Sequence, residues 1–170
     1  MNPGKIQFAE SEGTYVLKLV GEVRLNLSSS LESFFQIMFE EPGFRSVIVD
    51  LSEVKTIDST SLGMLAKLSI LARKQINQRP VLVSPLPDIT RILTSMGFER
   101  IFIIVEDAGN QNSEYREIEC EDDGNEESTR ARVLDAHRVL MSLNEYNHEA
   151  FSDLVKQMEQ CRRPKVTMDK

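Results

Sequence analysis

The 170-residue sequence predicts an α/β domain: a mixed β-sheet of four to five strands with helices packed on it, followed by a helical C-terminal extension. Three observations carry this. Residues 5–105 alternate short β-branched or apolar runs with stretches whose apolar residues recur every three or four positions. Turn formers at Gly21, Pro42-Gly43, Pro80 and Gly97 punctuate that alternation. After an acidic break at 106–127 the three-and-four spacing resumes with no strand-like run.

Ile6 to Ala9 reads as a first strand. It pairs through a turn at Glu12-Gly13 with Thr14–Val20, a β-branched and aromatic run stopped by Gly21. Ser28-Ser29-Ser30 offers N-caps to a helix carrying Leu31, Phe34, Phe35, Met38 and Phe39, which ends before Pro42-Gly43. Ser46–Leu51 is an apolar run between turn signals, the pattern of a strand covered on both faces, and a second short extended piece reaches Ile57. Asp58 to Ser61 caps the next helix, with Leu62, Leu65, Ala66, Leu68, Ser69 and Ala72 along one side and its end marked by Pro80. Val81–Val83 is another short buried strand. Pro87-Asp88 opens a helix carrying Ile89, Ile92, Leu93 and Met96, stopped by Gly97, and Ile101–Val105 closes the series. Strands alternating with helices imply right-handed crossovers and a parallel or mixed sheet.

The composition, 41% hydrophobic and 28% charged, is enough for one core. The apolar runs are far shorter than the roughly 18 residues of a membrane span. Residues 1–5 lack the apolar stretch of a secretory signal. Cys120 and Cys161 sit in polar contexts with neither metal spacing nor a disulfide framework, so a reducing cytoplasm is expected. The net charge of −7 counts against binding of a nucleic-acid backbone. Residues 106–127 hold ten acids against one base, Arg116, and so carry −9, which leaves the rest of the chain at +2. The organisation expected is a domain at 1–105, a flexible acidic linker at 106–127, an amphipathic helical extension at 128–162 and a tail at 163–170.

In the extension Val133, Ala136, Leu140, Leu143, Tyr146, Ala150, Phe151, Leu154, Val155 and Met158 recur at steps of three and four. A hairpin broken at Asn144 or Asn147 and a single long helix satisfy this spacing equally. The stripe suits folding back on the body, pairing in a homodimer, or docking on a partner. Its mixed-charge polar face argues against a membrane surface. His137 and His148, eleven residues apart, form no metal spacing and read as helix-surface histidines. Arg162-Arg163 and Lys165 read as a solvated basic tail.

The residues with most chemistry are Asp58, Ser59, Thr60 and Ser61. Asp58 is placed as N-cap and the three hydroxyls fill a first turn whose free N–H groups and dipole favour an anion. Gly63 leaves a bare spot on the helix, at a cost of up to ~1 kcal/mol relative to Ala. Helix capping alone accounts for these residue types, so spacing does not demand a special serine. No Gly-x-Ser-x-Gly elbow surrounds any serine and no histidine lies in 1–105, so Ser59 lacks a general base there. No catalytic residue, metal or cofactor is expected.

Asp50-Leu51-Ser52, followed by Ile57-Asp58-Ser59-Thr60-Ser61-Leu62-Gly63-Met64-Leu65, resembles the signature of the STAS domain of bacterial anti-sigma-factor antagonists. Leu19 to Val23, Arg79 to Pro85 and Ile89 to Phe98 resemble that family's early strand, its later strand and the helix that follows, so the resemblance spans roughly residues 5–105. It implies a STAS-like fold and a cytoplasmic switch in bacterial transcription and stress signalling rather than an enzyme. In such a switch a partner serine kinase, often the anti-sigma factor itself, phosphorylates the serine after the Asp, here Ser59, or less readily Thr60 or Ser61. A type 2C-like phosphatase, in some systems the output domain of a response regulator, removes the phosphate. The unphosphorylated form binds the anti-sigma factor and frees the sigma factor. Asp58, Ser59, Thr60, Ser61, Leu62, Gly63 and Met64 would form the contact surface. Ser61 stands where the family commonly has Gly, which narrows access and adds a hydroxyl. The competing reading is a non-switching scaffold or oligomeric sensor module assembled through the helical extension, with Ser59 a cap only.

Overall fold

A computed structural model describes residues 3–107, 109, 114–121 and 124–161 of the chain. β1 (Lys5–Ser11) and β2 (Thr14–Val23) form an antiparallel hairpin through Glu12-Gly13. β3 (Ser46–Ile57), β4 (Val81–Val83) and β5 (Ile103–Val105) follow in parallel, and β6 (Arg116–Ile118) returns antiparallel to β1. The sheet order is β5-β4-β3-β2-β1-β6. Between the strands run α1 (Ser28–Glu40), α2 (Ser59–Ile76) and α3 (Pro87–Ser95), and the chain continues through α4 (Glu126–Met141) and α5 (Glu145–Cys161).

The expected α/β class holds, with several corrections. The sheet has six strands rather than four to five, because part of the acidic segment is ordered against the body. Arg116–Ile118 pairs with Ile6–Phe8, the Arg116 guanidinium lies 4.9 Å from the Phe8 ring centre, and the Lys18 ammonium lies 5.1 Å from that of Tyr115. A three-residue edge strand carries too little periodicity to outweigh the acids around it.

β2 runs through Gly21 to Val23, and β3 is continuous to Ile57. Between the pairs Lys18↔Asp50 and Val20↔Glu53 the partner strand β3 spends one extra residue, a bulge, and the Asp50 carboxylate accepts the Ser52 N–H there at 2.8 Å. Along β3 burial alternates: Val47, Val49 and Leu51 are fully covered while Ile48 and Asp50 are half-buried, so one face carries the core and the other is partly open.

Ser28, Ser29 and Ser30 do not cap α1. A 3-10 turn at Leu25–Leu27 leads into the helix, with Leu27 at the cap position and no side-chain cap bond. The serines instead hold later segments. Ser29 Oγ donates to Glu121 O, Ser30 Oγ accepts from Glu121 N–H, and Ser28 Oγ accepts from Arg132 Nε. α2 ends at Ile76 on Asn77 in the left-handed conformation, ahead of Pro80. Residues 101–102 belong to the turn before β5, where Phe102 stacks on Phe98 with ring centres 5.7 Å apart. Cys120 is half-buried and packs against the core, and burial raises its thiol pKa. The tail from Arg162 onward and the side chain of Cys161 lie outside the described residues.

The core joins Leu17, Leu19, Val49 and Leu51 of the sheet to Leu31 and Met38 of α1 and to Leu62, Leu65 and Leu68 of α2. Each such burial contributes about 1.5–3 kcal/mol. Ala136, Leu140 and Leu143 belong to the same cluster, so the extension is a hairpin folded onto its own body. The break falls at Asn144, whose Oδ1 accepts the Asn147 N–H at 2.7 Å and starts α5.

Candidate functional site

The site forms where β3 hands the chain to α2. Asp58 is fixed from three directions. Its N–H donates to Val23 O at the end of β2 (3.1 Å), its carboxylate accepts Ser61 N–H (2.8 Å), and its carbonyl accepts Leu62 N–H (3.0 Å). With φ −89° and ψ 170° it has the extended backbone of an N-cap. The sheet therefore sets where the first turn of α2 starts, and with it the direction of the three hydroxyls.

Those hydroxyls differ sharply. Thr60 is 6% exposed and Ser61 0%, whereas Ser59 is half-buried. Thr60 and Ser61 are therefore both covered in this arrangement, and Ser61 in place of Gly adds no exposed hydroxyl. It fills core space, and its Oγ has no hydrogen-bond partner among the described residues. Ser61→Ala is therefore expected to leave the denaturant midpoint unchanged or raise it slightly, because a buried hydroxyl without a bond stabilises nothing. A clear drop in the midpoint would show that the hydroxyl has a partner.

The sequence reading of His137 is overturned. His137 is 2% exposed, and its Nε2 lies 2.8 Å from Ser59 Oγ. Its Nδ1 lies 2.7 Å from Val133 O, which can only accept, so Nδ1 carries a proton there. With that tautomer Nε2 is the acceptor and the Ser59 hydroxyl donates to it. Phe151 of α5 sets its ring edge-on against the imidazole, centres 5.0 Å apart. His148 is exposed.

Ser59 thus has a histidine at hydrogen-bond distance, supplied by the extension and not by residues 1–105. Paired side chains do not by themselves make a reaction centre, which also needs room for a substrate. A cavity of about 610 Å³ lies between α1, α2 and α4, lined by Phe35, Phe39, Met64, Leu71, Arg132 and Asp135 among others. Ser59 and His137 do not line it. Among the described residues no group of three His, Cys, Asp or Glu could hold a metal ion.

Of the rest of the expected contact surface, Gly63 lies against α4 and Leu62 belongs to the core of the body. A Cβ on Gly63 would overlap the Ala136 carbonyl and come within 2.6 Å of the Ala136 side chain, so only glycine lets the two helices touch here. Leu62 and Met64 are buried at 2% and 6%, and Lys67 pairs with Asp135 at 2.5 Å. At the hairpin's turn Arg100 Nη1 donates to Leu143 O (2.8 Å), and Asn147 Nδ2 donates to Met96 O (2.8 Å) and Leu140 O (2.9 Å). Gly97 takes φ 84°, and a Cβ there would meet the Asn144 amide at 2.9 Å.

The site is thus a serine at the first turn of an Asp-capped helix on a mixed sheet. The chain belongs to the STAS domain family, matching it over residues 5–110. It is similar in fold to a solved structure described as the anti-sigma factor antagonist SpoIIAA in its unphosphorylated form. That match has 14% identity and a TM-score of 0.50, covering 61% of this chain and 89% of the other. A structure of the Bacillus cell fate determinant SpoIIAA in its phosphorylated form matches with 15% identity and a TM-score of 0.49, covering 59% of this chain and 90% of the other. Among the described residues no helix is long and apolar enough to cross a membrane.

Proposed function

We propose that the chain is a cytoplasmic anti-sigma factor antagonist controlled by phosphorylation of Ser59. The observation that carries this is the difference among the three hydroxyls of the capped turn: Ser59 alone is not buried, while Thr60 and Ser61 are. In the reaction Ser59 Oγ attacks the γ-phosphorus of ATP, its proton passes to a base on the kinase, and ADP leaves. Water on a type 2C-like phosphatase reverses the modification. The phosphate adds about −1.5 to −2 charges and three acceptor oxygens at a helix N-terminus, which the dipole tolerates. The α2 helix therefore stays folded, and the change acts on the contact surface. An anti-sigma factor docking there would have to desolvate the phosphate beside Asp58, and binding is lost. The similarity to SpoIIAA in fold supports this reading, as does the Asp-Ser-Thr-Ser-Leu-Gly sequence at the start of α2.

The competing scaffold reading needs an apolar stripe free for assembly. Ala136, Leu140, Leu143 and Val155 are instead buried within their own chain, which leaves only Tyr146 and Leu154 as exposed large apolar residues of the stripe.

Replacing the chromosomal gene with Ser59→Ala and with Ser59→Asp variants and sequencing the transcripts tests the switch. One common set of transcripts should rise in the first strain and fall in the second, by about tenfold between them, the ratio that 1.4 kcal/mol of binding produces. Indistinguishable transcript profiles in the two strains would contradict it.

A further inference from the structure

We propose that the α4–α5 hairpin is an internal competitor for the surface around Ser59, holding the serine and its neighbours away from any protein partner until it undocks. This rests on the reading of Ser59 as phosphoacceptor and deepens it.

Three sets of contacts place the hairpin on the surface at issue. His137 Nε2 accepts the Ser59 hydroxyl's hydrogen bond at 2.8 Å, in the position that a kinase base must occupy when Oγ attacks ATP. Phe151, from the second helix of the hairpin, packs on that imidazole and backs it from the side of α5. Ala136 rests on Gly63 and Asp135 reaches Lys67, which puts α4 over the turn of α2 that follows Ser59. A partner docked across Ser59, Gly63 and Lys67 and the docked hairpin claim the same space.

The manner of attachment suits displacement. The helix crossing is made by the smallest residues, Gly63 and Ala136. The Lys67–Asp135 pair is about half-exposed at both ends and so contributes little. The other polar fastenings include the hydrogen bonds made by Ser59, Arg100 and Asn147 and those of Arg132 to Ser28 and Glu32 on α1, all of which a displacing partner or water can replace. Of the large apolar residues of α4, Leu140 is fully sealed and Leu134 is buried at 7%.

Phosphate on Ser59 has no room between Oγ and an imidazole nitrogen 2.8 Å away with an aromatic ring behind it. Phosphorylation and docking therefore oppose one another. By linkage, whatever factor docking subtracts from phosphorylation, the phosphate subtracts from docking.

The test uses the full chain. Ser59→Cys in a Cys120→Ser, Cys161→Ser background is labelled with a maleimide, alone and combined with Ala136→Glu, which sets a carboxylate against Gly63. Asp135→Lys, a half-exposed charge reversal facing Lys67, serves as a second opener, and circular dichroism checks that both stay folded. In parallel, cells carrying Ala136→Glu or Asp135→Lys with Ser59 intact are analysed for phosphate on Ser59. Labelling is expected to accelerate tenfold or more in at least one opened chain, with higher Ser59 phosphate in that strain. Equal labelling rates, or equal phosphate despite faster labelling, overturn the proposal. Faster labelling with no phosphate on Ser59 in any strain refutes the phosphoacceptor reading, and the regulatory role of the hairpin with it.

Discussion

Gly63→Ala should detach the α4–α5 hairpin from the body even though it improves α2 as a helix. Alanine is favoured over glycine in a helix interior by up to ~1 kcal/mol, so the isolated effect on α2 is stabilising. The added methyl has no space. It overlaps the Ala136 carbonyl and lies 2.6 Å from the Ala136 side chain, and backbone cannot rotate away as a flexible side chain could. Overpacking of this kind costs about 1–3 kcal/mol, and contact with backbone belongs at the upper end. The net loss is then about 2 kcal/mol, a factor of about 30 in the docking equilibrium. Hydrogen exchange is the measurement that separates the two effects. Amides of α4 and α5 should exchange about thirtyfold faster while those of β1–β3 keep their protection. Unchanged or slower exchange in α4 would mean that the helices do not meet at Gly63.

The second large effect is at Asn147, fully buried in the first half of α5. Its amide donates to Met96 O after α3 and to Leu140 O near the end of α4, joining three helices through one side chain. Leu140 O also accepts from Leu143 N–H and keeps a partner, so the larger loss in Asn147→Ala falls on Met96 O. Losing the half-buried bond to Met96 O costs about 1–1.5 kcal/mol, and the void left by the amide in a fully buried place adds a similar amount. A loss of about 2–3 kcal/mol corresponds to a fall of about 5–10 °C in Tm for a chain of this size. His148→Ala, one residue on and exposed, should change stability by less than about 0.5 kcal/mol. Equal Tm values for the two variants would contradict the bridging role of Asn147.

The order of elements in the body was legible because each carries a local signal. The three-and-four spacing of Leu31, Phe34, Phe35 and Met38 marks α1, the runs Val47–Val49 and Val81–Val83 mark strands, and Asp58 before a run of small hydroxyl residues marks a capped helix start. What was not legible depends on chain segments distant in sequence. Ser28–Ser30 look like caps, yet they bond to Glu121 and Arg132, about a hundred residues away. His137 meets Ser59 across 78 positions. A single polar residue on an amphipathic helix has no periodicity of its own, and the available hint was that His137 sits beside Ala136 and three before Leu140, on the buried side of the stripe. Gly63 offered the complementary hint, a bare spot on α2 waiting for a close neighbour. The density of acids at 106–127 hid the edge strand Arg116–Ile118, whose attachment uses the Arg116 and Tyr115 side chains rather than a hydrophobic pattern.

The central claim is that Ser59 is a reversible phosphoacceptor, and peptide mapping with intact-mass measurement of the protein from its native cells tests it most directly. The account predicts a fraction of molecules heavier by one phosphate, with the modification on Ser59, absent from a Ser59→Ala strain and changing between growth and stress. Protein without phosphate on Ser59 during growth, starvation and stress alike would contradict it and leave Ser59 a donor to His137 in a helix-docking contact.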